Sequence, residues 1–189
     1  MFRDLVLRNR SYRRFWEEHT IPYDTMLELV DLGRLTPSGA NKQPLKYMIS
    51  CDKAKNELIF STLLWAGYLS DWPGPEAGER PSGYVVILQD KKIGTSMVDH
   101  GIAAQTILLG ATELGLGGCM LGNVKREELR QLLNIPDQFD ILLVLALGKP
   151  KETVVMEELK EGGDIKYWRD GEKVHHVPKR KLKEVIVEM

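Results

Sequence analysis

Apolar and polar positions along this chain fall into blocks that read in turn as helices and strands. Met1 to about Arg8 reads as a short helix ahead of a basic segment. Met26, Leu27, Leu29, Val30 and Leu32 recur at helical spacing and predict a helix ending near Gly33, with Pro22 in its first turn and Thr20 as its cap. Residues 36–44, Thr-Pro-Ser-Gly-Ala-Asn-Lys-Gln-Pro, cannot continue that helix and form a loop. A short strand follows at Tyr47–Cys51, and then a helix from Lys53 to about Leu69. Ser70–Gly83 holds three prolines and three glycines and reads as an irregular, lid-like loop.

The second half is more apolar. Tyr84-Val-Val-Ile-Leu is a continuous apolar run, the mark of a buried strand. From about Gly94 to Leu114 the pattern is helical, but Ile102, Ala103, Ala104, Ile107, Leu108, Leu109 and Ala111 leave almost no polar face. Such a helix must be covered on all sides. In a chain this short a second copy is one natural cover. Gly115-Leu-Gly-Gly-Cys-Met-Leu-Gly122 reads as a helix stop, a short strand and a place where the backbone approaches something closely. Lys125–Leu133 is a short amphipathic helix, and Phe139–Leu147 is the most hydrophobic strand. Residues 151–178 are polar and irregular, with Tyr167 and Trp168 as anchors, and Lys179–Val187 ends the chain as a strand or short helix. The predicted class is α+β, with about four strands in one central sheet.

Composition narrows the function. A length of 189 residues at 43% hydrophobic suits one domain spanning 1–189, with about 61–83 and 151–178 as lid or extension segments. A net charge of -1 gives no general attraction to nucleic acid or anionic lipid, although both chain ends are basic. Residues 1–20 lack the apolar run of a signal peptide, and the apolar region 101–121 carries Gln105, Thr106, Thr112 and Glu113. A cytoplasmic protein with no membrane partner is therefore the expectation. Cys51 and Cys119 read as buried reduced thiols. The histidines are scattered, and the adjacent His175 and His176 would face opposite ways on a strand, so no metal site is expected. His100 reads as a core or interface histidine and Asp99 as a structural buried carboxylate.

Three segments carry candidate chemistry. Arg10 and Arg13 share a face if the turn is helical, with the Ser11 hydroxyl beside them. That set suits a phosphate dianion, and equally a solvated basic face. Between Pro37 and Pro44, Ser38, Asn41 and Gln43 offer groups that donate and accept, matching a ligand with a polar edge, or else merely joining a helix to a strand. The Gly115–Gly122 stretch gives backbone access to a flat ring, or a tight turn and packing. Trp65, Tyr68 and Trp72 could stack over a planar substrate, or pack a lid onto the core. No dinucleotide glycine fingerprint and no phosphate-loop lysine pattern is present, and the first half holds no recognisable nucleophile triad.

In sequence order these segments resemble the nitroreductase family of FMN enzymes. The resemblance rests on Arg10-Ser-Tyr-Arg13-Arg-Phe, Pro37-Ser-Gly-Ala-Asn41-Lys-Gln43-Pro, Leu114 to Gly122, Asn134-Ile-Pro with Leu142 to Gly148-Lys-Pro, and Pro178-Lys-Arg-Lys-Leu. It implies an entwined homodimer around a mixed or antiparallel sheet flanked by helices, with FMN at the interface. Arg10 and Ser11 would hold the phosphate, and Arg13 would lie at the pyrimidine edge as electrostatic stabiliser. Pro37, Ser38 and Asn41, with Gln43 in the same loop, would line the flavin from the partner. The backbone of Met120, Leu121 and Gly122 would reach the ring, and one or more of Lys179, Arg180 and Lys181 would close on the phosphate. Asn9 stands where the family often has an arginine. The implied activity is ping-pong electron transfer from NAD(P)H through flavin N5 to a small planar acceptor, with no side-chain acid or base demanded. A non-catalytic flavin carrier or sensor, or a dehalogenase-type member, is the alternative on the same fold.

Overall fold

In the computed structural model, which describes residues 1–95 and 97–188, the elements run α1 (Phe2–Arg8), β1 (Phe15–Trp16), α2 (Tyr23–Arg34), β2 (Leu45–Ser50), α3 (Lys53–Ser61), β3 (Gly83–Asp90), α4 (Asp99–Glu113), β4 (Gly117–Leu121), α5 (Arg126–Leu133), β5 (Phe139–Pro150), β6 (Val154–Glu158), β7 (Trp168–Arg169) and β8 (His175–Lys179). Short 3-10 turns occupy Gly39–Asn41 and Leu182–Glu184.

The two most apolar runs sit side by side. β5 pairs antiparallel with β3, with one register shift between Ile87 and Leu88. β4 and β2 extend the sheet antiparallel from β5 and β3, and β1 pairs with the last residues of β5. Every residue of β3 is buried. Strand alternation divides its side chains between two cores. Tyr84, Val86 and Leu88 pack with Ile59 of α3 and Leu129 of α5. Val85 and Ile87 pack with Met26 and Leu29 of α2 and Ile107 of α4. A sheet covered on both faces explains why this strand reads as an unbroken apolar run.

Several expectations need correction. α3 stops at Ser61 rather than near Leu69, because the Thr62 hydroxyl turns back to the Ile59 carbonyl and Leu63 pairs with Val124. α2 starts at Tyr23 with Pro22 as its N-cap residue and no side-chain cap, so Thr20 does not serve. α4 starts at Asp99, after a turn in which Gly94 takes a left-handed φ of 130°. Residues 151–178 are not irregular throughout. β6 pairs in parallel with β8, and β7 pairs antiparallel with β8, in a second sheet of three strands.

α4 is also less covered than its sequence requires. Val98, Ile102, Gln105 and Leu109 follow one another at helical spacing along one side, and of these only Leu109 is even partly buried. Phe2 of α1 and Leu182, Val185, Ile186 and Val187 of the tail are bare as well. Among the described residues no helix is long and apolar enough to cross a membrane.

Candidate functional site

The site begins where α1 ends. Asn9 leaves the helix in an extended conformation, and the chain then runs along the edge of β4. Ser11 bridges Gly118 in parallel, and the Tyr12 N–H donates to the Gly118 carbonyl at 3.0 Å. This approach depends on glycine. A Cβ at Gly118 would lie 2.5 Å from the Ala146 carbonyl oxygen, and one at Gly117 would lie 2.5 Å from the Tyr12 ring. Gly117 and Gly118 therefore serve protein packing; a Cβ at Gly122 would meet only Leu143 Cδ1 at 4.0 Å, and one at Gly115 nothing within 4 Å. Beneath this segment Glu152 is buried, accepting the Arg13 N–H, the Arg14 N–H at 3.2 Å and Arg169 Nη2 at 3.0 Å.

Above it opens a cavity of about 640 Å³ between α1, α4, β4 and the second sheet, lined among others by Arg10, Ser11, Arg13, Met120, His175 and Lys179. Phe2, Leu108, Leu109, Val154 and Val177 give it apolar walls. Three cations converge on it and no carboxylate lines it. The other large cavities carry acids: Glu17, Glu18 and Glu57 in one, Asp71, Glu76 and Glu79 in another. A concave, acid-free cluster of cations focuses a positive potential suited to an anionic ligand.

Arg10 Nη2 donates to the Val6 carbonyl at 2.7 Å and Nη1 to the Met156 thioether at 2.8 Å, while its Nε is buried without a partner. A thioether is a weak acceptor, and a buried donor left unmade costs about 1–3 kcal/mol. Both facts favour a ligand oxygen at this guanidinium. Asn9 is committed elsewhere: it donates to Thr112 Oγ1 at 3.0 Å and accepts from Gln105 Nε2 at 3.1 Å. Arg13 Nη1 donates to the Ser11 carbonyl at 3.3 Å and lies 3.2 Å from His175 Nε2, and its guanidinium sits 4.9 Å over the Tyr167 ring. Burial first, then the neighbouring Arg13, Arg169 and His176, hold His175 down to about 4. Both cysteines are free, Cys119 buried and Cys51 half-buried, and burial pushes both thiols up, away from the reactive thiolate.

The remaining candidates lie elsewhere in the protomer. Pro37, Ser38 and Gln43 line a small pocket of about 50 Å³ with Asp99, and Asn41 is exposed on the same loop. The Ser38 hydroxyl donates to Asp99 at 2.6 Å and accepts the Gln43 N–H at 2.9 Å, so Asp99 ties the loop to the head of α4. Ala40, Asn41 and Gln43 all take left-handed φ values of 50–53°. Strain of this kind concentrates at ligand clamps. Leu121 points into the core opposite Met120, and the Gly122 carbonyl accepts from Arg126. Of the basic close, Lys179 alone lines the cavity; Lys181 pairs with Glu158 at 3.1 Å, and Arg180 is exposed. Trp65 and Trp72 are not brought to this cavity. Trp65 is buried against Phe60 and Gly74 with Trp72 edge-on, the lid-packing arrangement, while Tyr68 and Trp72 border the cavity of Arg14 and Glu79. Glu152, and the contact of His175 with Arg13, escaped the sequence reading because Glu152 and His175 meet Arg13 across 139 and 162 positions.

A two-faced antiparallel sheet between paired helices is the fold shared with solved structures named as nitroreductases. A nitroreductase family protein of Streptococcus pneumoniae TIGR4 matches it with a TM-score of 0.71 at 14% identity, covering 100% of both chains. An FMN-dependent nitroreductase of Clostridium difficile R20291 matches at 0.63 and 20% identity, over 78% of this chain and 86% of that one. In sequence, a chain of Archaeoglobus fulgidus whose name assigns it provisionally as an NADH dehydrogenase/NAD(P)H nitroreductase is 28% identical over 156 residues, 78% of this chain and 84% of its own. The nitroreductase family model matches residues 79–149, from the approach to β3 to the end of β5. In fold, and in sequence over residues 79–149, the chain is similar to the nitroreductase family.

Proposed function

We propose that this protein is a cytoplasmic, homodimeric, FMN-dependent oxidoreductase that takes electrons from NAD(P)H and passes them to a small planar acceptor in a ping-pong sequence. The observation that carries the reading is the acid-free cavity in which Arg10, Arg13 and Lys179 meet, with one guanidinium nitrogen of Arg10 unmatched. Its volume falls within the roughly 300–1,000 Å³ of small-molecule sites, and its lining joins a cationic end to apolar walls. A phosphorylated flat ring has that same division.

Arg10, Ser11 and Lys179 hold the phosphate, Arg13 faces the pyrimidine edge, and Met120 forms a wall. Pro37, Ser38, Asn41 and Gln43 complete the chamber from the second copy, which also covers the bare side of α4. FMN supplies the hydride chemistry at its N5. The protein binds and orients, excludes water, and places positive charge where negative charge accumulates. A single cavity bounded by Arg13, Met120 and Tyr167 would have to admit donor and acceptor in turn.

A spectrum of the purified protein tests this directly. Absorption near about 370 and 450 nm, lost on anaerobic mixing with NADH or NADPH, is expected. Protein without flavin overturns the reading; a bound flavin that neither nicotinamide reduces makes the protein a carrier instead.

A further inference from the structure

We propose that the second sheet acts on the basic cavity through a neutral clamp: His175 and Tyr167 are positioning residues that fix the Arg13 guanidinium without cancelling its charge. The inference rests on the flavin reading and adds to it a device from residues outside the matched stretch 79–149.

The argument starts from what Arg13 does not do. A buried carboxylate, Glu152, lies directly beneath it, yet Glu152 takes the Arg13 backbone N–H and not its side chain. Its remaining capacity goes to the Arg14 N–H and to Arg169 Nη2. Among the described residues Arg13 has an ion pair with no acid. The side chain is nevertheless held from three sides: the Ser11 carbonyl at 3.3 Å, His175 Nε2 at 3.2 Å, and the Tyr167 ring 4.9 Å below the guanidinium. All three partners are uncharged.

The His175 contact fixes a tautomer. A guanidinium only donates, so Nε2 accepts and the ring proton sits on Nδ1, which is buried and has no partner. An imidazolium could not accept this bond, and the low pKa of about 4 agrees with a neutral ring. The clamp is itself anchored. The His175 N–H donates to the Thr153 carbonyl at 2.9 Å, and Tyr167 lies 5.0 Å from the Tyr68 ring while its hydroxyl accepts the Tyr68 N–H at 3.4 Å. A cation oriented in advance, half-buried and unpaired with any acid, favours whichever ligand state carries more negative charge at that spot. For FMN that is the reduced state. Removing the clamp therefore lowers the preference for reduced over oxidised cofactor.

The test uses the holoprotein. His175→Phe removes the acceptor, His175→Gln restores one, Tyr167→Leu removes the aromatic face, and His176→Gln is the control, since His176 turns away to Glu157 and Asp170. The affinity for oxidised FMN is read from flavin fluorescence and the two-electron midpoint potential from anaerobic titration. His175→Phe and Tyr167→Leu should each lower the reduced-over-oxidised preference about tenfold, a fall of about 30 mV for a two-electron couple. His175→Gln should recover most of it. A folded His175→Phe or Tyr167→Leu with unmoved potential overturns the clamp, as does an equal fall in His176→Gln. Should His175→Phe fail to fold, Tyr167→Leu at its half-buried position decides alone. Wild-type protein that never retains FMN removes the flavin reading and the clamp together; retained FMN with unmoved potentials removes only the clamp.

Discussion

Arg10 commits two of its donors to acceptors that a phosphate would outcompete, a helix-end carbonyl and a thioether. Replacing Arg10 with Ala should weaken FMN binding by roughly 1.5–3 kcal/mol, the worth of a charge-assisted bond, measured by titrating apoprotein with FMN. Unaltered retention would move the phosphate elsewhere. Two adjacent histidines should also leave opposite marks on stability. His175 is held below the ordinary imidazole value of 6.5, to about 4, so the unfolded chain takes the proton first. Its contribution is intact above about pH 6.5 and is lost as pH falls toward 4, on the order of 2–3 kcal/mol. His176 is raised by Asp170 and then Glu157, so its contribution is present below 6.5 and lost as pH rises through the raised value. Denaturant titrations should show His175→Gln flattening the acid slope and His176→Gln flattening the slope above 6.5. The basic residues at 10 and 13 and the basic run 179–181 were legible by their charge, and the structure brings Arg10, Arg13 and Lys179 to one cavity. The choice among Lys179, Arg180 and Lys181 was not, because strand register decides it.

At the scale of elements, the sequence reading succeeded wherever one local pattern determines the outcome. β3 and β5 are continuous apolar runs, α5 alternates cleanly, and the loop at 36–44 is fenced by prolines. It failed where a distant partner decides. The end of α3 is set by pairing with Val124, and β6 exists only because β8 arrives beside it some twenty residues later. The glycines of β4 show the same limit. Their presence pointed to close approach, but the approaching group at Gly118 is the Ala146 carbonyl, not a ligand. Gly118→Ala should therefore destabilise the fold by at least about 1–3 kcal/mol through overpacking, and loosen Ser11 with it. A thermal melt of the cofactor-free protein checks this. A stability equal to wild type would mean that the β4–β5 contact is not the constraint described.

For the whole molecule, the bare side of α4 and the apolar tail are surfaces that a folded monomer would leave in water. Ile102, 39% exposed in the centre of that side, is the point to perturb. Light scattering should give a dimer for the wild type even at low concentration and a shift toward monomer for Ile102→Glu, with FMN released in parallel. A wild-type holoprotein of monomeric mass would contradict the interface.

The hydrogen bonds from Ser38 and Gly39 to Asp99 have one more consequence. They lash the Asn41 loop to the helix whose bare side the proposed dimer would cover, so in that dimer each chamber would borrow its cationic floor and its amide rim from different polypeptides. Two crippled parents, Arg10→Ala and Asn41→Ala, co-folded in equal amounts, should then regain function through their hybrids. Each hybrid carries one doubly damaged chamber and one intact chamber, giving back about a quarter of all sites if pairing is random.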